Sequence, residues 1–139
     1  ILRVASGKTD GLVNFEQGGG VSSKIVLGNE TNSKSVPLVC FDNFPFQNMP
    51  SIIKMDIEGA EKDTLHGLEK IIIQNRPILM VCLYHTKDDL WEIPIYLKSL
   101  VSDYKFYLRQ HDNNGLETVL YLTFICHLPI EISFGIRTF

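Results

Sequence analysis

Three acidic residues, Asp56, Glu58 and Glu61, lie within a span of six positions. Residues 51–55, just before and leading into them, are mainly apolar and β-branched, which predicts a short buried strand. A helix is predicted for residues 59–75, because apolar side chains recur at the spacing of a helix that lies on a sheet. The acids therefore stand where a strand passes into a helix. Ligands of open parallel sheets bind at this point, and helix amides stabilise acidic groups there.

A second polar cluster follows the next predicted strand. Residues 78–83 are apolar at every position, which is typical of a strand buried on both faces of a parallel sheet. Tyr84 and His85 come directly after it. Because parallel strands end at the same edge of a sheet, we expect Asp56 and His85 to lie side by side and face a common cleft. An imidazole in that place is suited to accept the proton of a hydroxyl group.

Each of these residues also has a structural interpretation. Asp56 would either orient a ligand or cap the following helix. Glu58 would either contact a ligand or satisfy amides of the first helical turn. His85 would either act as a base or bond a loop carbonyl, and Tyr84 would either line the pocket or pack. Glu61 is expected to serve the helix N-terminus.

Several further side chains are expected to have structural roles. For Glu61 we expect a basic partner such as Lys54 or Arg76. Trp91 lies at helical spacing with apolar neighbours, which favours a place in the core over a platform for an acceptor. Three histidines show no spacing that suggests a partner and are expected at the surface: His66, His111 and His127.

No metal site is predicted. The three acids are adjacent and lack a distant ligand, although carboxylates of this kind suit magnesium. The cysteines form no CxxC pair, so a zinc site is not indicated. They are expected to be buried free thiols in a reducing compartment. These cysteines are Cys40, Cys82 and Cys126.

Composition places the chain among soluble globular proteins. It has 139 residues, of which 45% are hydrophobic and 21% charged, enough for one domain with one core. The net charge of -3 gives no reason to expect nucleic acid or an anionic membrane as a partner. No apolar run is long enough to span a membrane and no signal peptide is recognisable, which together with free thiols favours a cytoplasmic location. Because the chain begins at Ile1 and not at Met, we expect a piece of a longer protein.

The order of predicted elements indicates an α/β fold. The strands are predicted at residues 1–5, 12–15, 25–27, 35–41, 51–55, 78–83, 104–108 and 118–125, and the helices at 59–75 and 90–101. Residues 35–41 are expected at a sheet edge, and residues 18–20 at a hairpin tip. Asp88 and Asp89 are expected to cap the second helix. The turn signal at residues 112–115 makes the last strand antiparallel, so the fold is expected to end in a hairpin at one edge of the sheet.

Residues 53–61 resemble the K-D-E-G-A-E signature of the FkbM family of S-adenosylmethionine-dependent methyltransferases. The resemblance continues in order through later pieces of the chain, up to about Phe124. These pieces are Leu65 with Gly67, Arg76-Pro77, Tyr84-His85 with Asp88-Asp89-Leu90-Trp91 and Ile93-Pro94, residues 104–109 and residues 117–121. Upstream, Ala5-Ser6 and the run from Gly11 to Phe15 resemble the family's approach to this motif.

The resemblance implies a Rossmann-like methyltransferase fold with a seven-stranded sheet whose last strand is antiparallel. It also implies S-adenosylmethionine as the cofactor and methyl transfer to a hydroxyl oxygen, on a sugar, a glycan or a small metabolite. The family's glycine-rich loop and the acid after its second strand are not in this chain. Residues 1–126 are therefore expected to be the C-terminal part of a methyltransferase domain, incomplete at its N-terminus. No role is assigned to the tail, residues 127–139.

The same resemblance suggests roles for individual residues. Asp56 and His85 are the catalytic candidates, with Asp56 near the methyl group, where it orients the acceptor or the amino acid end of the donor. Asp56, Glu58 and Ser6 are the candidates for cofactor binding. Ser6 lies where the family fold approaches the adenine, and its structural alternative is a turn serine.

A different class of function remains open on the sequence alone. The chain would then be a non-catalytic, truncated α/β module that binds a partner along an open sheet edge. Without the first strands, residues 51–55 would carry unpaired amides and carbonyls. The isolated chain is therefore expected to be poorly stable or to associate with itself.

Overall fold

The computed structural model describes residues 2–16, 25–26, 33–113 and 117–124, which form a mixed α/β arrangement of two four-stranded sheets and three helices. The strands are β1 (Ala5–Ser6), β2 (Gly11–Glu16), β3 (Ile25–Val26), β4 (Ser33–Val39), β5 (Ile52–Met55), β6 (Ile78–Cys82), β7 (Lys105–Gln110) and β8 (Thr118–Thr123). The helices are α1 (Glu61–His66), α2 (Glu69–Asn75) and α3 (Asp89–Leu100). A short 3-10 turn, Phe41–Asn43, follows β4.

The first sheet has the order β1-β4-β2-β3. The expectation that residues 35–41 form an edge strand is wrong, because β4 pairs with β1 on one side and with β2 on the other. Pro37 is tolerated inside this strand because β1 pairs only with Leu38 and Val39. Among the described residues, no partner on that side therefore needs the N–H that proline lacks.

The second sheet has the order β5-β6-β8-β7. β5 and β6 run parallel, while β8 is antiparallel to both β6 and β7. The predicted antiparallel hairpin at one sheet edge is therefore confirmed. β5 forms the opposite edge of this sheet within the described residues. The strand buried between β5 and β8 is β6, the run that is apolar at every position.

The single helix expected at residues 59–75 is wrong, because the chain forms α1 and α2 with a break between them. The break lies at Gly67, where a β-carbon would overlap the backbone carbonyl oxygen of Gly7. The helix begins again after Leu68, and its first free amides bind Asp42. The Lys70 N–H donates to Asp42 Oδ2 at 2.9 Å and the Ile71 N–H to Oδ1 at 3.1 Å.

The core lies between the second sheet and the helices. Its fully buried side chains include Met55, Leu65, Ile72, Leu79, Val81, Ile93, Leu97 and Leu122. Trp91 is not among them, since it is 51% exposed and the expectation that it packs in the core is wrong. It lies two positions before Ile93, and residues two apart on a helix point to different sides. Within the described residues none of the helices has the length and apolar character needed to cross a bilayer.

Several other expectations are settled or fall outside the described residues. Cys40 and Cys82 are buried and free, as expected. His111 is exposed, as expected, and its Nε2 lies 2.9 Å from the Tyr121 hydroxyl. His66 is only partly exposed, and its Nδ1 lies 3.0 Å from Glu69 Oε1, a partner that the sequence did not indicate. The expectations for Cys126, His127, the hairpin tip at 18–20 and the tail at 127–139 concern residues outside the described part.

Candidate functional site

Asp56 and His85 meet at the carboxyl ends of two neighbouring strands. β5 and β6 are parallel with Met55 opposite Val81, so both strands end at the same edge of the sheet. His85 Nε2 lies 3.5 Å from Asp56 Oδ1. The expectation that these two side chains emerge side by side from neighbouring parallel strands is confirmed. Their functional roles remain predictions.

Tyr84 and Lys54 hold the carboxylate of Asp56. The Tyr84 hydroxyl donates to Asp56 Oδ1 at 2.8 Å, and Lys54 Nζ donates to Oδ2 at 3.2 Å. The Tyr84 bond is the largest cause that lowers the pKa of Asp56, and Lys54 adds to it. The same bond raises the pKa of Tyr84, because its proton is shared with a carboxylate. Asp56 therefore stays ionised at neutral pH while its side chain remains 39% exposed.

Glu61 is buried directly behind this pair. Its Oε1 accepts the N–H of Ile57 and its Oε2 the N–H of Gly59, both at 2.9 Å. Its Oε1 also lies 2.7 Å from His85 Nδ1. The expectation that Glu61 serves the amides around the helix start agrees with these bonds. Its side-chain partner is His85. The expectation of Lys54 or Arg76 as the partner is wrong, because Lys54 pairs with Asp56 and Arg76 with Asp103.

The turn before α1 explains how a buried acid reaches two amides. Glu58 and Gly59 have φ angles of 57° and 96°, in the left-handed region. The reversal directs the neighbouring N–H groups toward the Glu61 carboxylate and leaves Glu58 exposed at the outside of the turn. A β-carbon on Gly59 would lie 3.5 Å from Thr86 Cγ2, so the turn packs against the segment that carries His85.

Ser6 lies at the end of β1 in the first sheet, and its side chain contacts Thr64 in α1 and not the acids at the end of β5. Its Oγ is 2.8 Å from Thr64 Oγ1 on α1. The hydrogen bonds of the described residues do not join Ser6 to Asp56 or to Glu58. Its assignment to the cofactor stays a prediction.

Cys82 is a neighbour of Asp56 that the sequence did not assign to the site. It is the last residue of β6 and is buried. Burial is the largest cause that raises the pKa of its thiol, to about 11, and the charge of Asp56 adds to it. The thiol is therefore protonated at neutral pH. Its place at the strand end, two positions before Tyr84, is the signal that was available in the sequence.

The described residues hold no group of three or more His, Cys, Asp or Glu side chains arranged to bind a metal ion.

Comparison with known proteins identifies the family. Residues 3–114 match the family described as "Methyltransferase FkbM domain". The chain belongs to this family. A crystal structure of the methyltransferase FkbM from Methylobacillus flagellatus KT matches with 33% identity and a TM-score of 0.58, over 63% of this chain and 23% of that chain. A search of curated protein sequences found no match.

The matched part of the FkbM domain contains the whole site. Asp56, Glu61, Tyr84 and His85 all lie within residues 3–114, whereas β8 lies beyond the match. This chain spans about a quarter of the length of the FkbM structure that it resembles.

Proposed function

We propose that this chain is part of an S-adenosylmethionine-dependent O-methyltransferase that acts on a hydroxyl group of a sugar, a glycan or a small metabolite. The observation that carries the proposal is the state of His85. Its Nε2 is buried and has no hydrogen-bond partner among the described residues, although it lies beside the ionised Asp56. A buried nitrogen without a partner is costly unless a bound molecule supplies one.

The residues present fit the proposed cofactor. S-adenosylmethionine supplies an electrophilic methyl group on a positively charged sulfur. The ionised and partly exposed carboxylate of Asp56 suits a cationic donor, and the exposed Glu58 lies two residues away. Ser6 is kept as the proposed contact near the adenine.

Asp56 and His85 have different roles toward the acceptor: Asp56 orients it and His85 accepts its proton. Methyl transfer requires the acceptor oxygen to be held in line with the donor, so positioning is the main task. Asp56 accepts a hydrogen bond from the acceptor or the donor and fixes its orientation. His85 Nε2 takes the proton that the hydroxyl loses. Tyr84 keeps Asp56 charged throughout, since its proton is donated to Oδ1.

The sheet supports an incomplete Rossmann-like methyltransferase fold as a further part of the proposal. The order β5-β6-β8-β7 places an antiparallel strand beside a parallel pair, and β5 forms the other edge within the described residues. The glycine-rich loop and first strands of the family would then belong beside β5. We propose a cytoplasmic location on the basis of the free buried thiols.

The test is transfer of a tritiated methyl group from S-adenosylmethionine to a library of saccharides and small hydroxylated metabolites by the full-length protein that contains this chain. We expect Asp56→Asn and His85→Gln each to lower the rate by about 100-fold, the usual contribution of a general base or a positioning contact. Asp103→Asn is the matched control, because Asp103 is exposed and pairs with Arg76 at the opposite end of β6. An unchanged rate in Asp56→Asn would remove that residue from the mechanism.

A partner-binding module is the second candidate, favoured by the outer edge of β5. Calorimetric titration of the chain with S-adenosylmethionine separates the two functions. Saturable heat supports the enzyme. A chain that gives no heat and yet binds another protein through β5 supports the module.

A further inference from the structure

We propose that Glu61 is the positioning residue of this site. It holds His85 in the tautomer that carries its hydrogen on Nδ1, so that the lone pair of Nε2 faces Asp56 and the acceptor. The role of Nε2 as the proton acceptor rests on the proposed function. The tautomer itself is a property of the chain without any ligand.

The contact between Glu61 and His85 fixes the hydrogen. Oε1 of Glu61 and Nδ1 of His85 are 2.7 Å apart, and the two side chains are 1% and 7% exposed. An ionised carboxylate only accepts hydrogen bonds, so the hydrogen between them belongs to Nδ1. A neutral imidazole has one N–H, and Nε2 is then the acceptor.

The turn before α1 keeps the carboxylate in place. The amides of Ile57 and Gly59 each donate to one oxygen of Glu61, so the backbone of the turn holds both oxygens. The left-handed backbone at Glu58 and Gly59 makes this possible. Rotation of the carboxylate away from His85 would leave these two amides without their acceptor, which disfavours that movement.

Among the described residues, Nε2 makes no hydrogen bond that competes with Nδ1 for the imidazole hydrogen. Asp56 Oδ1 is 3.5 Å away and accepts the Tyr84 hydroxyl at 2.8 Å. Asp56 and Glu61 are the acids that face the imidazole, and Tyr84 packs against it with ring centroids 4.3 Å apart.

The molecule contains a natural comparison. His66 Nδ1 lies 3.0 Å from Glu69 Oε1, but these side chains are 26% and 41% exposed. Glu69 also accepts the hydroxyl of Tyr96. The same two residue types therefore pair at a partly solvated position away from Asp56, which provides a matched control.

Long-range proton–nitrogen NMR of the full chain, with its histidines labelled with nitrogen-15, tests the proposal directly. We expect His85 to carry its hydrogen on Nδ1 and to have none on Nε2. A hydrogen on Nε2 alone, or a doubly protonated ring, would overturn the proposal.

The variant Glu61→Met removes the acceptor while keeping most of the volume of the side chain. Because a free neutral imidazole prefers its hydrogen on Nε2, we expect that tautomer to rise to at least half of His85. The control Glu69→Met should change the spectrum of His66 and leave that of His85 unaltered. A folded Glu61→Met protein with His85 unchanged would contradict the inference. Should Glu61→Met fail to fold, the tautomer in the unmodified chain still decides the question.

The rate of methyl transfer separates this inference from the proposed function. We expect Glu61→Met to lower kcat by about 100-fold with little change in KM for S-adenosylmethionine. If the full-length protein that contains this chain has the Nδ1–H tautomer and transfers no methyl group, the proposed reaction is refuted and the role of Glu61 toward His85 stands. Full activity in folded Glu61→Met removes the positioning role.

Discussion

The hydrogen bond from Tyr84 to Asp56 makes a prediction about pH. Tyr84→Phe should raise the pKa of Asp56 toward its ordinary value, because the largest cause that lowers it is removed. A carboxyl with a lowered pKa stabilises the fold above its unfolded pKa, and this stabilisation is lost as pH falls through the folded pKa. The variant should therefore lose stability near neutral pH and not in strong acid. The expected loss is under about 1 kcal/mol, because the Asp56 side chain is 39% exposed and solvent screens it.

Carbon-13 NMR of the Asp56 carboxyl across a pH titration measures the change in its pKa. Urea unfolding at neutral and acidic pH measures the loss of stability. Tyr107→Phe is the control, since Tyr107 is an exposed residue of β7. An equal loss of stability at both pH values would show that Tyr84 contributes through packing alone.

At the scale of residues, the sequence predicted which strand ends meet and not how they are joined. Asp56 and His85 could be paired because parallel strands end together. The contact between Glu61 and His85 depends on a left-handed turn at Glu58 and Gly59. A glycine after an acid permits such a turn, but many other backbone paths share that pattern. Only the coordinates show where the amides point.

The contact between Gly7 and Gly67 predicts a strong effect of one methyl group. Gly67→Ala should destabilise the chain by about 2 to 3 kcal/mol, because its β-carbon overlaps the Gly7 carbonyl oxygen and the two backbones must separate. Gly11→Ala is the matched control, since a β-carbon there meets no atom within 4 Å. Urea unfolding of both variants is the measurement. Equal stability of the two would mean that β1 and α1 do not lie this close in solution.

Asp42 caps α2 from a distant part of the chain, which gives a second prediction for the helices. Asp42→Ala should cost about 1 kcal/mol, because the amides of Lys70 and Ile71 lose their acceptor. Asp88→Ala is the comparison. Asp88 occupies the N-cap of α3 but its side chain makes no capping bond, so the change should be close to neutral in thermal unfolding. A larger loss of stability in Asp88→Ala than in Asp42→Ala would contradict the conclusion that Asp42 caps a helix and Asp88 does not.

At the scale of elements, the sequence predicted the strands of the second sheet well, because the apolar runs and the turn-forming residue types at 112–115 are local signals. The break between α1 and α2 escaped prediction, since the apolar spacing continues through Leu65, Leu68 and Ile72. The break is imposed by Gly7, which is 60 positions away from Gly67. Capping of α3 by Asp88 and Asp89 was predicted from the residue types alone. The Asp89 side chain makes a hydrogen bond at this end of the helix, since it accepts the Thr86 N–H at 3.0 Å.

For the molecule as a whole, the outer edge of β5 is the feature with the clearest consequence. The Ile78 N–H donates to the Ser51 carbonyl at 2.9 Å, and groups alternate along a strand, so the N–H groups of Ile52 and Lys54 point away from β6. We expect the chain to associate through this edge at high concentration. Ile52→Pro should shift sedimentation toward the monomer, because it removes an outward N–H and no bond to β6.

Ile73→Ala is the control for this experiment, since Ile73 is an exposed apolar residue on α2. It should leave the association unaltered. A chain that stays monomeric at every concentration and melts in one cooperative transition would contradict the expectation of an open edge.

The protonated thiol of Cys82 has a consequence for the chemistry proposed beside it. With a pKa of about 11, about one thiol in ten thousand is ionised at neutral pH. Thiolates are the sulfur species that attack alkyl donors. Burial and the charge of Asp56 thus protect the protein from alkylating its own cysteine, and the same carboxylate that would attract a cationic reagent keeps the nearest sulfur inert toward it.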